Sequence, residues 1–287
     1  MATNVSVSGR IARVLKSAAL ALPAAGVLIL AASTPATSAD YRAAVAYVPP
    51  PYDPWNAFSI GVGGGVDIFR TDVDGYAEEY DWPYNSVYFS SPLKGSGGFG
   101  TVEIGKDFHN GNMIFGIFGE YNFGRKSDSA GGSWFECLCG GNEKSRVEEE
   151  CEWGDTLSAG AKLTLKNSYG IMGHVGVLVN PTTQIYGIFG YTWHKYTAEV
   201  NASSTVFDDW GYDPLHISKS GTIGGLTFGI GAEMLINSHL SIKGEYRLVK
   251  LGAPGEVGGY QHGIYAQADF GKVDDHVFRG VISYKLP

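Results

Sequence analysis

Cysteine is scarce, three in 287 residues. That is too few for a scaffold built on disulfides, and the spacing matches no zinc-ligand pattern, with no histidine close by. Beyond Asp40 there is no run of about 18 consecutive apolar residues. This excludes a helical integral membrane protein, but not a barrel, whose signal is alternation in short runs. Basic residues are in the minority, 21 Lys and Arg against 29 Asp and Glu, which argues against a nucleic-acid partner. The glycines show no G-X-Y period, so a collagen helix is out. Gly63-Gly64-Gly65 is not a phosphate loop, because no helix signal follows it.

What is abundant is glycine and rings: 41 Gly, 17 Tyr, 14 Phe and 6 Trp. Gly relieves crowding at bulges and barrel corners, so this composition points to strands and tight bends. Residues 1–39 read as a signal peptide. Arg10, Arg13 and Lys16 precede an apolar stretch from Ala18 to Ala32, and Thr37-Ser38-Ala39 offers a cleavage site before Asp40. The stretch contains Pro23 and falls short of the roughly 20 residues a spanning helix needs. Three of the 21 basic residues lie in this segment and no acidic ones do. The exported remainder therefore carries 18 against 29, a net charge of −11. Residues 40–56, with Pro49-Pro50-Pro51 and Pro54, read as a Pro-rich periplasmic linker.

Residues 57–287 hold eight strand-like runs: 57–70, 97–108, 112–124, 163–179, 184–200, 222–235, 240–251 and 276–286. Three connections are tight turns: His109-Asn110-Gly111, residues 180–183 and residues 236–239. Four are long: 71–96, 125–162, 201–221 and 252–275. Short turns at one end and long loops at the other suit an outer-membrane barrel. Side-chain alternation gives each strand one greasy face and one polar or small face. Leu240, Ile242, Tyr246 and Leu248 oppose Ser241, Lys243, Glu245 and Arg247. Phe278, Ile282, Tyr284 and Leu286 oppose Arg279, Ser283 and Lys285. A soluble barrel would turn the greasy face inward. Here the polar faces mix charge with Gly, which fits the cramped interior of eight strands, and the apolar faces carry rings suited to interfacial girdles. The expectation is an all-β, eight-stranded antiparallel transmembrane up-and-down β-barrel with long loops at one end.

Glu103, Glu120, Glu233, Lys243, Glu245, Arg247, Arg279 and Lys285 then face the bore. They form either a network that plugs it or a selectivity ring, and the narrowness of eight strands favours the plug. Cys137 or Cys139 could pair with Cys151 in an exposed loop, leaving one thiol over. Acidic clusters occupy the first long loop (Asp72, Asp74, Glu78, Glu79, Asp81) and the second (Glu148, Glu149, Glu150, Glu152). They are a solvated surface or a divalent-cation site near lipopolysaccharide. Asp72-Val73-Asp74-Gly75 begins like a calcium loop, but the rest of the pattern is missing. The loop rings Tyr76, Tyr80, Trp82, Tyr84, Trp134, Trp210 and Tyr212 either bind a partner or pack the loops together. No spacing joins Ser, His and a carboxylate into a nucleophile–base set. No cofactor or metal is expected.

Three passages resemble the small outer-membrane β-barrel proteins of Gram-negative bacteria, with a barrel like those of OmpA and OmpX, and in particular the immunogenic outer-membrane proteins of α-proteobacteria. They are Ser168–Gly176 with Pro181 and Tyr186–Tyr191; Gly229–Met234 leading to Leu240–Arg247; and His276–Leu286. Together they span most of 57–287. The chain departs from the family in two places. It ends Lys285-Leu286-Pro287, where members usually end on an aromatic residue that the barrel-assembly machinery reads. His174 stands in the lumen network where the family often has Arg. No soluble peptidoglycan-binding domain is expected after the barrel, unlike full OmpA proteins. The resemblance implies residence in the cell outer membrane and contact with its lipid, lipopolysaccharide and assembly machinery. The expected function is non-enzymatic: envelope integrity and presentation of extracellular loops to a host or surface partner. The alternatives are a small passive channel and a lipid A-modifying enzyme.

Overall fold

A computed structural model of the protein describes residues 52–80, 84–137 and 154–286. The signal segment, the linker through Pro51, Asp81, Trp82, the 148–152 acidic run, Cys139 and Cys151 lie outside the described residues, as does the side chain of Cys137. The disulfide expectation falls there.

In chain order the elements are β1 (Phe58–Glu79), β2 (Ser86–Asn110), β3 (Met113–Gly124), β4 (Lys126–Cys137), β5 (Gly154–Asn180), β6 (Thr183–Ser204), α1 (Thr205–Asp209), β7 (Leu215–Leu235), β8 (Leu240–Leu251), β9 (Gly255–Gln261), β10 (Ile264–Phe270) and β11 (Val273–Leu286). Eight of the strands close a ring in the order β1-β2-β3-β5-β6-β7-β8-β11 and back to β1, with every pairing antiparallel. Closure gives each backbone N–H and C=O a ladder partner, which hydrocarbon requires. Each of the eight expected runs lies almost wholly within one ring strand. The three tight turns gather at one end. At the first, Gly111 has φ 66°, a left-handed value that glycine adopts without Cβ strain.

Among the described residues the long connections are largely strand. Most of 71–96, 125–162, 201–221 and 252–275 continues the ring strands or adds β4 and the β9–β10 hairpin. β4 takes over from β3 as the partner of β5, and β10 takes over from β11 as the partner of β1. The barrel therefore has a second, outer storey. Its walls are two sheets, β9–β10–β1–β2 and β4–β5–β6–β7, with no ladder between β2 and β4 among the described residues.

The two storeys have opposite polarity. Along the inner half of β1, Phe58, Ile60, Val62, Val66 and Ile68 point out and Ser59, Gly61 and Asp67 point in. At Ile68–Phe69 the pattern reverses. Ile68 is 40% exposed and Phe69 is 0%. Thereafter Val73 and Ala77 are buried while Arg70, Asp72 and Asp74 face out. The same reversal occurs on β6 between His194 and Tyr196, and on β8 between Arg247 and Val249. The outer storey thus encloses an apolar core that includes Phe69, Leu93, Leu157, Leu163, Val200, Leu215, Ile264 and Phe270. The Phe69 ring packs on Gly95, where a Cβ would lie 2.0 Å from its nearest ring carbon.

β5 reaches the same result differently. Its apolar rows lie at odd positions on both sides of Asn167, from Leu157 to Leu165 and from Tyr169 to Val179. A bulge between Leu165 and Ser168 rotates the strand, because one extra residue exchanges the faces. Leu157, Leu163 and Leu165 therefore point into the outer core, while Tyr169, Ile171 and Val175 point outward.

Candidate functional site

The bore of the inner storey is filled by interlocked ion pairs. Arg279, from β11, is the hub. Its Nη2 lies 2.5 Å from Glu103 Oε2, its Nη1 2.7 Å from Glu120 Oε2 and its Nε 2.6 Å from Glu245 Oε2. Arg247, two positions from Glu245 on β8, bridges Glu120 (2.7 Å) and Glu245 (2.6 Å). Period-two alternation places Lys243, Glu245 and Arg247 on one inward row, and Lys243 Nζ reaches Glu103 Oε1 at 2.7 Å. The Phe118 ring lies beneath both guanidinium groups, at 5.4 and 5.9 Å, a cation–π platform.

A second cluster sits toward the tight turns. Lys285 Nζ is held by Asp107 (2.7 Å) and Glu233 (2.8 Å). Gln184 and Ser241 donate to Glu233, and His174 lies 3.5 Å from Asp107. Trp55 stacks over Lys285 and donates its indole N–H to the Pro181 carbonyl at 3.1 Å, so it stops this end of the bore. At the storey boundary Lys126 bridges Asp67 (2.6 Å) and Asp275 (2.7 Å). Between that triad and the Arg279 hub is a cavity of about 20 Å³, room for little more than one water.

All nine residues proposed from the sequence, including His174, face this bore and are buried or nearly so. They divide between the two clusters rather than forming one ring. Asp107, Phe118, Trp55 and Tyr186, whose hydroxyl donates to Glu245 at 2.7 Å, were missed, although Asp107 shares its strand and parity with Glu103. Lys126 and Asp275 were missed because they fell in stretches read as loops. An interior of this kind tolerates no half-measures. Removing one partner of a buried pair costs about 3–5 kcal/mol, since the other charge is left without compensation.

The outer tip carries a smaller polar cluster. Asp155 accepts hydrogen bonds from Asn85 (2.9 Å), Ser204 (3.0 Å) and Thr205 (2.8 Å), with buried Glu79 beside it. Asp72 and Asp74 lie on β1, separated by inward-facing Val73, so they belong to a strand and not to a calcium loop. Among the described residues no group of three or more His, Cys, Asp or Glu side chains is arranged to hold a metal. Of the loop rings, Tyr76 packs on Tyr88 (4.7 Å between centroids) and on Tyr265 (6.1 Å), and Tyr80 meets Tyr260 edge-on (5.8 Å). These rings form one outward platform across β9, β10, β1 and β2. Tyr88 is 73% exposed and Tyr260 60%.

The sequence pattern of the outer membrane protein beta-barrel domain family matches residues 23–285. No curated protein matches the chain. Among solved structures it is similar to the outer membrane protease OmpT of Escherichia coli, with 10% identity over 81% of this chain and 97% of that one and a TM-score of 0.42. It is also similar to Ail, the attachment invasion locus protein of Yersinia pestis, with 12% identity, 75% and 98% coverage and a TM-score of 0.24. Neisserial surface protein A aligns at 8% identity, 77% and 97% coverage and a TM-score of 0.25.

Proposed function

The chain belongs to the outer-membrane protein β-barrel family, and from that premise we propose that it is a sealed, non-enzymatic anchor that contributes to envelope integrity and presents its outer storey to partners at the cell surface. It resides in the outer membrane. The observation that carries the reading is the double closure of the barrel. The inner bore is filled by charges that satisfy one another, and the outer storey by close-packed Phe, Leu, Val and Ala. A hydrated ion would have to break the first and carry its water into the second. The outward tyrosine platform supports surface interaction, since clustered exposed rings mark interfaces.

Neither His109 nor His194 is placed to act as a catalytic base. His109 lies 2.7 Å from Asp53, but its other ring nitrogen is engaged by the Gly111 carbonyl at 2.8 Å, which leaves no site for a nucleophile. His194 is buried beside Asp275 at 3.7 Å, inside the sealed bore. The test is planar-bilayer recording on the folded full-length protein. No unitary current is expected from the parent. Stable currents lost on neutralising Glu245 or Arg247 would favour a passive channel instead. Altered lipid A mass on expression would favour a lipid-modifying enzyme.

A further inference from the structure

Of the acidic residues described in the first long connection, Asp72, Asp74 and Glu78 face outward on β1, and Glu79 alone turns inward. It closes the inward row of Val73, Gly75 and Ala77 and lies beside Asp155 of β5. Two carboxylates are thus buried side by side at the outer tip. Charges of one sign are costly to enclose together.

The atoms around the pair are all oxygen-bearing. The Ser204 and Thr205 hydroxyls lie 3.0 and 2.8 Å from Asp155 Oδ1, and Asn85 Nδ2 donates to Asp155 Oδ2 at 2.9 Å. Three further oxygens are left over. Both carboxyl oxygens of Glu79 and the Oδ1 of Asn85 are enclosed without a hydrogen-bond partner, in side chains only 4% and 3% exposed. A buried polar atom with no partner costs free energy that a bound ion can recover. Two carboxylates alone make no metal cluster. An amide oxygen and two hydroxyl oxygens beside them complete an oxygen shell of the kind a hard dication takes, and the two negative charges match it. Mg²⁺ keeps several waters and demands an octahedron, whereas Ca²⁺ accepts irregular shells supplied by the protein.

The cluster also joins two separate sheets. Glu79 ends β1 and Asn85 directly precedes β2, in one wall of the outer storey. Asp155 on β5, Ser204 at the end of β6 and Thr205 at the start of α1 belong to the other. We propose that this cluster is a calcium site that pins the two walls together. Glu79 and Asp155 supply the charge, Ser204 and Thr205 their hydroxyl oxygens, and Asn85 its Oδ1 after a half-turn of the amide. The inference goes beyond the anchor reading, to which it adds a ligand and a site. A proton is the competing occupant of the carboxylate pair, and the two exclude one another.

The probe is calcium chloride, titrated at neutral pH into chelator-treated, full-length protein folded in phosphatidylcholine nanodiscs. Hydrogen exchange is followed by mass spectrometry. Protection at Glu79 on one wall and at Leu157 and Ser204 on the other is expected to rise together. The curve should be that of a single site, with a midpoint on the order of 0.1–1 mM, the range of calcium modules outside cells. In E79Q and in D155N the midpoint is expected to rise roughly tenfold or more, since affinity follows the number of charged ligands. In D72N/D74N, which neutralises outward carboxylates of the same strand, it should be unchanged. Absence of calcium-dependent protection in the parent would overturn the proposal and leave a pair that shares a proton; that comparison needs no variant to fold. So would an equal response to magnesium at the same concentration, or a midpoint that moves in D72N/D74N and not in E79Q. Conductance reports on the bore alone, so failure of the anchor reading and failure of this site give different results.

Discussion

Glu79 shows how one side chain at the outer tip can respond to pH. Burial pushes its carboxyl above the ordinary carboxylate range, the neighbouring Asp155 carboxylate adds to the push, and the Ser204 hydroxyl opposes it. The folded tip therefore holds the Glu79 proton more tightly than the unfolded chain does. Its stabilising contribution is full below the ordinary carboxylate pKa and is lost as pH rises through the elevated folded value. The Glu79 amide, which donates to the Asn85 carbonyl at 2.9 Å, is expected to be better protected from hydrogen exchange at pH 4 than at pH 8, after correction for intrinsic rates. In Glu79→Gln the difference should vanish, because a neutral amide has no proton to lose. A pH dependence that survives the substitution would show that another group controls the tip.

At the scale of the element, the β5 bulge converts a single alternating pattern into two opposite faces. Deleting Asn167 removes the extra residue while leaving both halves of the strand intact. The remaining strand then alternates without a break, with Leu163, Leu165 and Ser168 inward and Lys166, Tyr169 and Ile171 outward, so both halves keep their faces. The deletion is expected to preserve the mobility difference between boiled and unboiled protein in outer-membrane fractions. Loss of the shift would mean that the bulge itself is needed for the barrel to close. The ring strands were legible in the sequence because their lipid-facing rows, such as Leu226, Phe228 and Ile230, are large and apolar. The inward rows of β7, β8 and β11 were legible for the same reason, as their complement. The outer strands were not. Past Phe69 the buried row of β1 is Thr71, Val73, Gly75 and Ala77, small residues set against Asp72 and Asp74, and the change of phase reads as the end of a strand. Asp275 and Lys126 went unassigned with the stretches that hold them. No local pattern records that Lys126 bridges two carboxylates from β1 and β11; that partnership exists only after the ring closes.

For the whole molecule, inversion of polarity gives two cores with different physics. The inner one is held by charges in a narrow bore and by lipid outside, the outer one by apolar packing against water. Phe69→Ala should therefore act on one storey. Truncating a fully buried Phe costs about 3–5 kcal/mol, and here the loss falls on the outer sheets. Hydrogen-exchange protection is expected to drop at Val73, Leu157 and Val200, while protection at Glu103 and Arg279 and the heat-modifiable shift persist. Loss of protection in both storeys together would mean that they form a single cooperative unit.

The boundary at Ile68–Phe69 has a further consequence, for how the barrel is seated. If it sank by one strand repeat, Arg70 and Lys94 would enter hydrocarbon; if it rose by one, Ile68 and Trp193 would be lifted into water. Charged residues on a lipid-facing strand cost about 2–4 kcal/mol at the midplane and far less near the surface. Error in either direction is therefore penalised on nearly every strand at once. The barrel carries its own waterline, set by the residues themselves and independent of any partner that holds it at that height.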